Sequence, residues 1–246
     1  HAWQSHAEAL NNLLFEDSEV SLQRHEEFDE LIIVPDGLLW YLPFELLPVA
    51  TNEDNLGDKT HLCLKDVCQI RYSPTRSLAV GPRHKATAPR LTAVQASLTY
   101  RNNSPEKAIE SLNRVKAAIQ DAIFLSPKTS KVPVSISASL VDTLVIFDEL
   151  SADGRITDRP LIAPHAGRPG MSFKDWLAPP NKVTRCAVLT GLQTQAAGGL
   201  NKPTDRPGSD LFMTAMDLMA TGTETAILSR WNVGGRTAID LGIEFI

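Results

Sequence analysis

The chain has 246 residues, 43% of them hydrophobic and 22% charged, and carries a formal net charge of -5. That is enough chain to bury a core, as one large domain or two small ones, and the composition is ordinary for a globular protein. The acidic balance argues against nucleic acid or an anionic membrane as the main partner, and the sequence has no run of about 18 apolar residues that would span a bilayer.

The three cysteines, Cys63, Cys68 and Cys186, are an odd number in a fairly long chain. This is not a disulfide scaffold; a reducing compartment such as the cytoplasm is the simpler expectation. Cys63 and Cys68 have no second Cys or His pair at metal-ligand spacing, so no zinc site is expected.

In chain order, Ala2 to Leu14 has apolar residues at helical spacing and predicts a helix burying Trp3, Leu10, Leu13 and Leu14. After a charged segment, Leu31-Ile32-Ile33-Val34 reads as a strand apolar on both faces, ended by the turn residues Pro35-Asp36-Gly37. The same texture recurs at Val67 to Tyr72, Leu91 to Ala96, Thr143 to Phe147, Cys186 to Thr190 and Thr225 to Ser229. Between them, Glu106 to Phe124 predicts a long helix with a stripe of Ile109, Leu112, Val115, Ala118, Ile119, Ala122 and Ile123. Leu211 to Ala220 predicts another, closed by Thr221-Gly222.

Strands alternating with helices give an α/β protein with a mainly parallel, twisted sheet and helices on both faces. The polar stretch from Ser126 to Ser137 divides the chain into halves, residues 1–130 and 131–246. Ala152 to Pro180 and Gly198 to Gly208 read as loops at the carboxyl ends of strands, where functional loops of open α/β sheets gather. The sequence ends at Ile246 inside an amphipathic stretch with no cap, so a longer protein is expected.

Three segments together resemble the CHAT domain, a caspase-like domain related to separase. They are Leu31 through Leu47, with Pro35-Asp36-Gly37 and Leu42-Pro43-Phe44-Glu45; Ile70-Arg71-Tyr72-Ser73-Pro74-Thr75; and Gly208-Ser209-Asp210-Leu211 through Trp231-Asn232-Val233. The resemblance implies a caspase-like fold in which residues 1–130 form the half without catalytic residues and residues 131–246 the half that normally carries them, cut short at its C-terminus. It also implies upstream tetratricopeptide repeats in the full protein.

Active members of such a family need a thiolate and an imidazole at adjacent strand ends. Laid on this chain, the resemblance puts Glu149 where the His belongs, or Asp153 in a shifted register. Leu189-Thr190-Gly191 and Gln193-Thr194 match the surroundings of the nucleophile, and the nucleophile position is Leu192. Leucine has no nucleophilic atom, and a carboxylate at Glu149 would not activate one.

The expectation is therefore a non-catalytic, pseudo-peptidase module that binds a protein or peptide or serves as a scaffold, with Asp148, Glu149, Gly191, Leu192 and Gln193 along the former substrate groove. No cofactor and no metal are expected. The alternative is an active cysteine peptidase with a relocated dyad, Cys186 and His165. It is disfavoured because Cys186 starts the strand whose far end carries Leu192, roughly 20 Å away at strand rise. Glycine-rich phosphate loops and a Gly-x-Ser-x-Gly elbow are absent from the sequence.

Overall fold

The computed structural model describes residues 2–16, 28–53, 59–80, 91–95, 105–125, 140–147, 150–151, 161–162, 184–196, 206–231 and 235–245. They belong to two compact units, His1–Val80 and Gly81–Ile246.

The first unit begins with helix α1 (Ala2–Phe15) and strand β1 (Glu30–Ile33), followed by short 3-10 helices at Gly37–Tyr41 and Phe44–Leu46. A hairpin of β2 (Pro48–Glu53) and β3 (Lys59–Cys63) leads through the single turn α2 (Leu64–Val67) to β4 (Gln69–Tyr72) and α3 (Arg76–Ala79). β1 and β4 pair in parallel, Leu31 beside Ile70 and Ile33 beside Tyr72. The turn after β1 works because Gly37 has φ +52°, which an L side chain rarely adopts. Phe44, Leu47, Val49 and Leu64 form the core, with Leu10, Leu14 and Phe15 of α1 packed against it.

Two expectations for α1 need correction: Trp3 is 49% and Leu13 82% exposed. The buried arc is set by Leu10 and Leu14, one turn apart, and Leu13 sits about 100° back around the helix from Leu14. The hairpin β2–β3 went unread because Ala50 to Glu53 and Lys59 to His61 lack an apolar alternation.

In the second unit, β5 (Thr92–Gln95), α4 (Pro105–Ala118), β6 (Ile123–Leu125) and β7 (Thr143–Ile146) are followed by the short strands β8 (Leu150–Ser151) and β9 (Leu161–Ile162). Then come β10 (Cys186–Leu189), β11 (Leu192–Gln193), α5 (Ser209–Ala220), β12 (Thr225–Leu228) and α6 (Gly235–Glu244). Five strands form one sheet in the order β12-β10-β7-β5-β6, every pair parallel. The sheet runs across the point near residue 130: β5 and β6 precede it, and β7, β10 and β12 follow.

Register explains the core. Phe124, Val94, Val145, Val188 and Ile227 stand level across the five strands. They pack with Val115 of α4 and Ile119 just after it, and with Ala238 and Ile239 of α6. Full burial of one such side chain contributes about 1.5–3 kcal/mol. Leu144, Ile146, Ala187 and Leu189 point to the other face and are buried as well. The β5–α4–β6 and β10–α5–β12 crossovers step in opposite directions, so with right-handed connections α4 and α5 lie on opposite faces. The α/β reading, with a parallel sheet covered on both sides, is what the chain adopts.

The long helix expected at 106–124 is in fact a helix and a strand. α4 stops at Ala118, and the Gln120-Asp121 turn leads into β6. A short apolar run such as Ile123-Phe124-Leu125 fits either period. Ile109, placed on the buried stripe, is 61% exposed; Leu112, Val115 and Ile119 carry the packing.

Candidate functional site

β7 and β10 lie side by side with their ends level: Thr143 is beside Cys186 and Ile146 beside Leu189. Parallel strands send their carboxyl ends to the same edge, so the segments following Ile146 and Leu189 emerge together. Leu192, three residues beyond Leu189, follows this edge of the sheet. After Phe147, Asp148 and Glu149 lie outside the described residues, as do Asp153 and His165. Strand β8 pairs with β11 in parallel, Leu150 beside Leu192 and Ser151 beside Gln193. β9 closes this small sheet antiparallel to β8.

From the Ile146–Leu189 pair to the Leu150–Leu192 pair, the β7 side advances four residues and the β10 side three.

Leu192 is 1% exposed, and Gly191 and Thr190 beside it are buried. Its backbone is held by a neighbouring strand end: the Ser229 hydroxyl donates to the Leu192 carbonyl oxygen at 2.9 Å. Ser229 is itself buried, and its N–H donates to the Leu189 carbonyl at 3.4 Å. Two residues on, the Thr194 hydroxyl donates to the Arg230 carbonyl and accepts from the Ala196 N–H. The Asp210 carboxylate, in the first turn of α5, accepts from the Gln195 N–H at 2.7 Å and from the Leu211 N–H at 2.9 Å. These residues belong to segments the sequence marks as motifs, but their role was not legible there. It depends on where β12 and α5 end up relative to β11.

Beneath the segment, α6 comes close. A Cβ added at Gly242 would stand 2.4 Å from Cε1 of Phe147 and 3.4 Å from Cγ2 of Thr190. Phe147 is fully buried, so its ring has little room to yield. The Thr190 hydroxyl oxygen is buried and without a hydrogen-bond partner among the described residues.

At the edge of the site, the Arg230 guanidinium lies over the Trp231 ring, 5.5 Å from its centroid. Trp231 is 43% exposed. Cys186 sits at the opposite end of β10 from Leu192, beside Thr143 and Thr225.

In the first unit the family-like segments meet each other. The Tyr72 hydroxyl donates to the Glu45 carboxylate, and the Tyr72 ring lies 6.3 Å from Phe44 and 6.4 Å from Trp40. Glu45 and Tyr72 stand 27 residues apart in the sequence. Asp36 is a turn residue: its carbonyl accepts from the Leu39 N–H at 3.0 Å, and its side chain makes no capping bond. Burial pushes the Cys63 and Cys68 thiols up from their ordinary range, which keeps both protonated and weakly nucleophilic.

No protein among the curated ones matches this sequence. Among the described residues, no helix is long and apolar enough to cross a membrane. The CHAT domain family, by contrast, matches residues 4–146, from the start of α1 to the last residue of β7. That is more than half of the chain, and it takes in two of the three segments quoted above. Together with the parallel sheet, this establishes that the chain belongs to the CHAT domain family, a caspase-like family related to cysteine peptidases.

Proposed function

We propose that this CHAT domain is a non-catalytic member that binds a protein or peptide along the edge where β7 and β10 end, or holds a partner as a scaffold. The observation that carries the reading is the residue at position 192. A peptidase nucleophile must present a lone pair to the scissile carbonyl with a base in hydrogen-bond reach. Leu192 offers carbon and hydrogen only, and its side chain is 1% exposed.

The surroundings support binding without chemistry. The segment from Leu192 to Ala196 is tied by side-chain hydrogen bonds to the end of β12 and the start of α5. A segment fixed in this way presents its free groups in one geometry, which lowers the ordering cost of capturing an extended chain. Trp231, half exposed and stacked under Arg230, supplies an aromatic anchor of the kind enriched at protein interfaces.

The test is affinity selection from a mixed peptide library on the immobilised full chain, with cleavage followed in parallel by mass spectrometry. Binding without cleavage is expected, weakened by Trp231→Ala. Turnover of any library member would contradict the reading.

A further inference from the structure

We propose that Asp210 is a positioning residue that latches the segment after Leu192 onto the first turn of α5 and thereby holds the candidate groove in its binding geometry. The inference rests on the binding reading above and adds to it the residue that controls the site.

The geometry is specific. One carboxylate oxygen of Asp210 takes the Gln195 N–H at 2.7 Å; the other takes the Leu211 N–H at 2.9 Å. A single side chain thus joins the backbone of the loop after β11 to the backbone that opens α5. The carboxylate also sits where the orphan N–H groups of a helix N-terminus favour negative charge. α5 is a firm anchor: Leu211, Thr214, Ala215 and Leu218 are buried, and the Thr214 hydroxyl bonds back to the Asp210 carbonyl at 2.7 Å. Gly208 opens this turn at φ +79°, a conformation that brings Asp210 round at little cost in a residue without a Cβ.

Other ties on the segment come from the pairing of Leu192 and Gln193 with β8 and from the end of β12: Ser229 on the Leu192 carbonyl and Thr194 on the Arg230 carbonyl. Asp210 is the tie that comes from α5. Without it, Gln195 would lose its backbone tie to α5. None of these bonds uses the Leu192 side chain, so the latch is independent of what stands at the nucleophile position.

The experiment is amide hydrogen exchange on the full chain for the wild type, Asp210→Ala and Asp210→Asn, with peptide capture measured on the same proteins. Asp210→Ala is expected to speed exchange at Gln195 by about tenfold or more, the scale of losing a hydrogen bond to a charged group. Exchange at Val188 and Ile227 in the sheet stays unchanged. Asp210→Asn keeps one acceptor oxygen of the same reach and gives a smaller increase. Peptide capture falls in the same order.

Unchanged exchange at Gln195, or equal acceleration across the sheet, would overturn the latch. If the wild type captures no peptide while Gln195 responds as described, the binding reading fails and the latch stands.

Discussion

The hydroxyl of Ser229 donates to the carbonyl oxygen of Leu192 across 2.9 Å, joining the end of β12 to the start of β11. The backbone at that position is therefore fixed by its neighbours, although the side chain is a buried leucine. Removing the hydroxyl with Ser229→Ala leaves a buried carbonyl short of a donor and is expected to cost about 1–2 kcal/mol. Urea denaturation measures it; an unchanged midpoint would mean that the bond contributes nothing.

Leu192 itself behaves as a core residue. Leu192→Ala is expected to destabilise the chain by about 2–5 kcal/mol, the range for a buried leucine reduced to alanine. Leu192→Cys restores a sulfur but no cleavage of a peptide library, because the matching base position is read as Glu149. Turnover by that variant would show that a working base stands nearby.

Gly242 is needed for close approach. Any Cβ there meets the buried Phe147 ring at 2.4 Å, so Gly242→Ala should cost about 1–3 kcal/mol through displacement of α6 or the ring. Phe147→Leu in the same chain should recover part of the loss, a coupling that a double-mutant cycle reads directly.

The Tyr72–Glu45 contact ties the Leu-Pro-Phe-Glu segment to β4. Tyr72→Phe should lower stability by about 1–2 kcal/mol, and Glu45→Gln should add little once Tyr72 is gone. Additive losses would show that the two side chains act separately.

Asp66 gives the first unit an acid-sensitive element. Its carboxyl is held below the ordinary carboxylate range, first by the Cys63 N–H at 2.9 Å and then by Lys65. A depressed folded value means that the contribution is present above the unfolded value and is lost as pH falls through the folded one. The melting difference between wild type and Asp66→Asn, present at neutral pH, should therefore close as pH drops below about 4. A difference that is constant with pH would rule out the carboxylate as its source.

How much of this was legible in the sequence depends on the range of the interaction. The strands at 143–147 and 186–190 were readable because each is buried on both faces and so is apolar throughout. The strand β6 was not, because Ile123-Phe124-Leu125 continues the helical stripe of α4 for one more turn. Trp3 and Leu13 were misplaced since helical spacing gives a face but not how far its covering extends. The site residues split in the same way. Leu192 was marked by the residues flanking it in the chain, whereas Asp210, Ser229 and Thr194 act on backbone atoms 15 to 37 residues away. That pairing exists only once β12 has paired with β10 and α5 has crossed over.

Whether this CHAT domain does peptide chemistry is read by exposing the folded chain to a panel of peptidyl electrophiles, followed by mass spectrometry, beside cleavage of a mixed peptide library. The account predicts neither site-specific labelling nor cleavage. Specific labelling of Cys186 that disappears in His165→Ala, together with turnover, would contradict it and make the chain a cysteine peptidase with a relocated dyad.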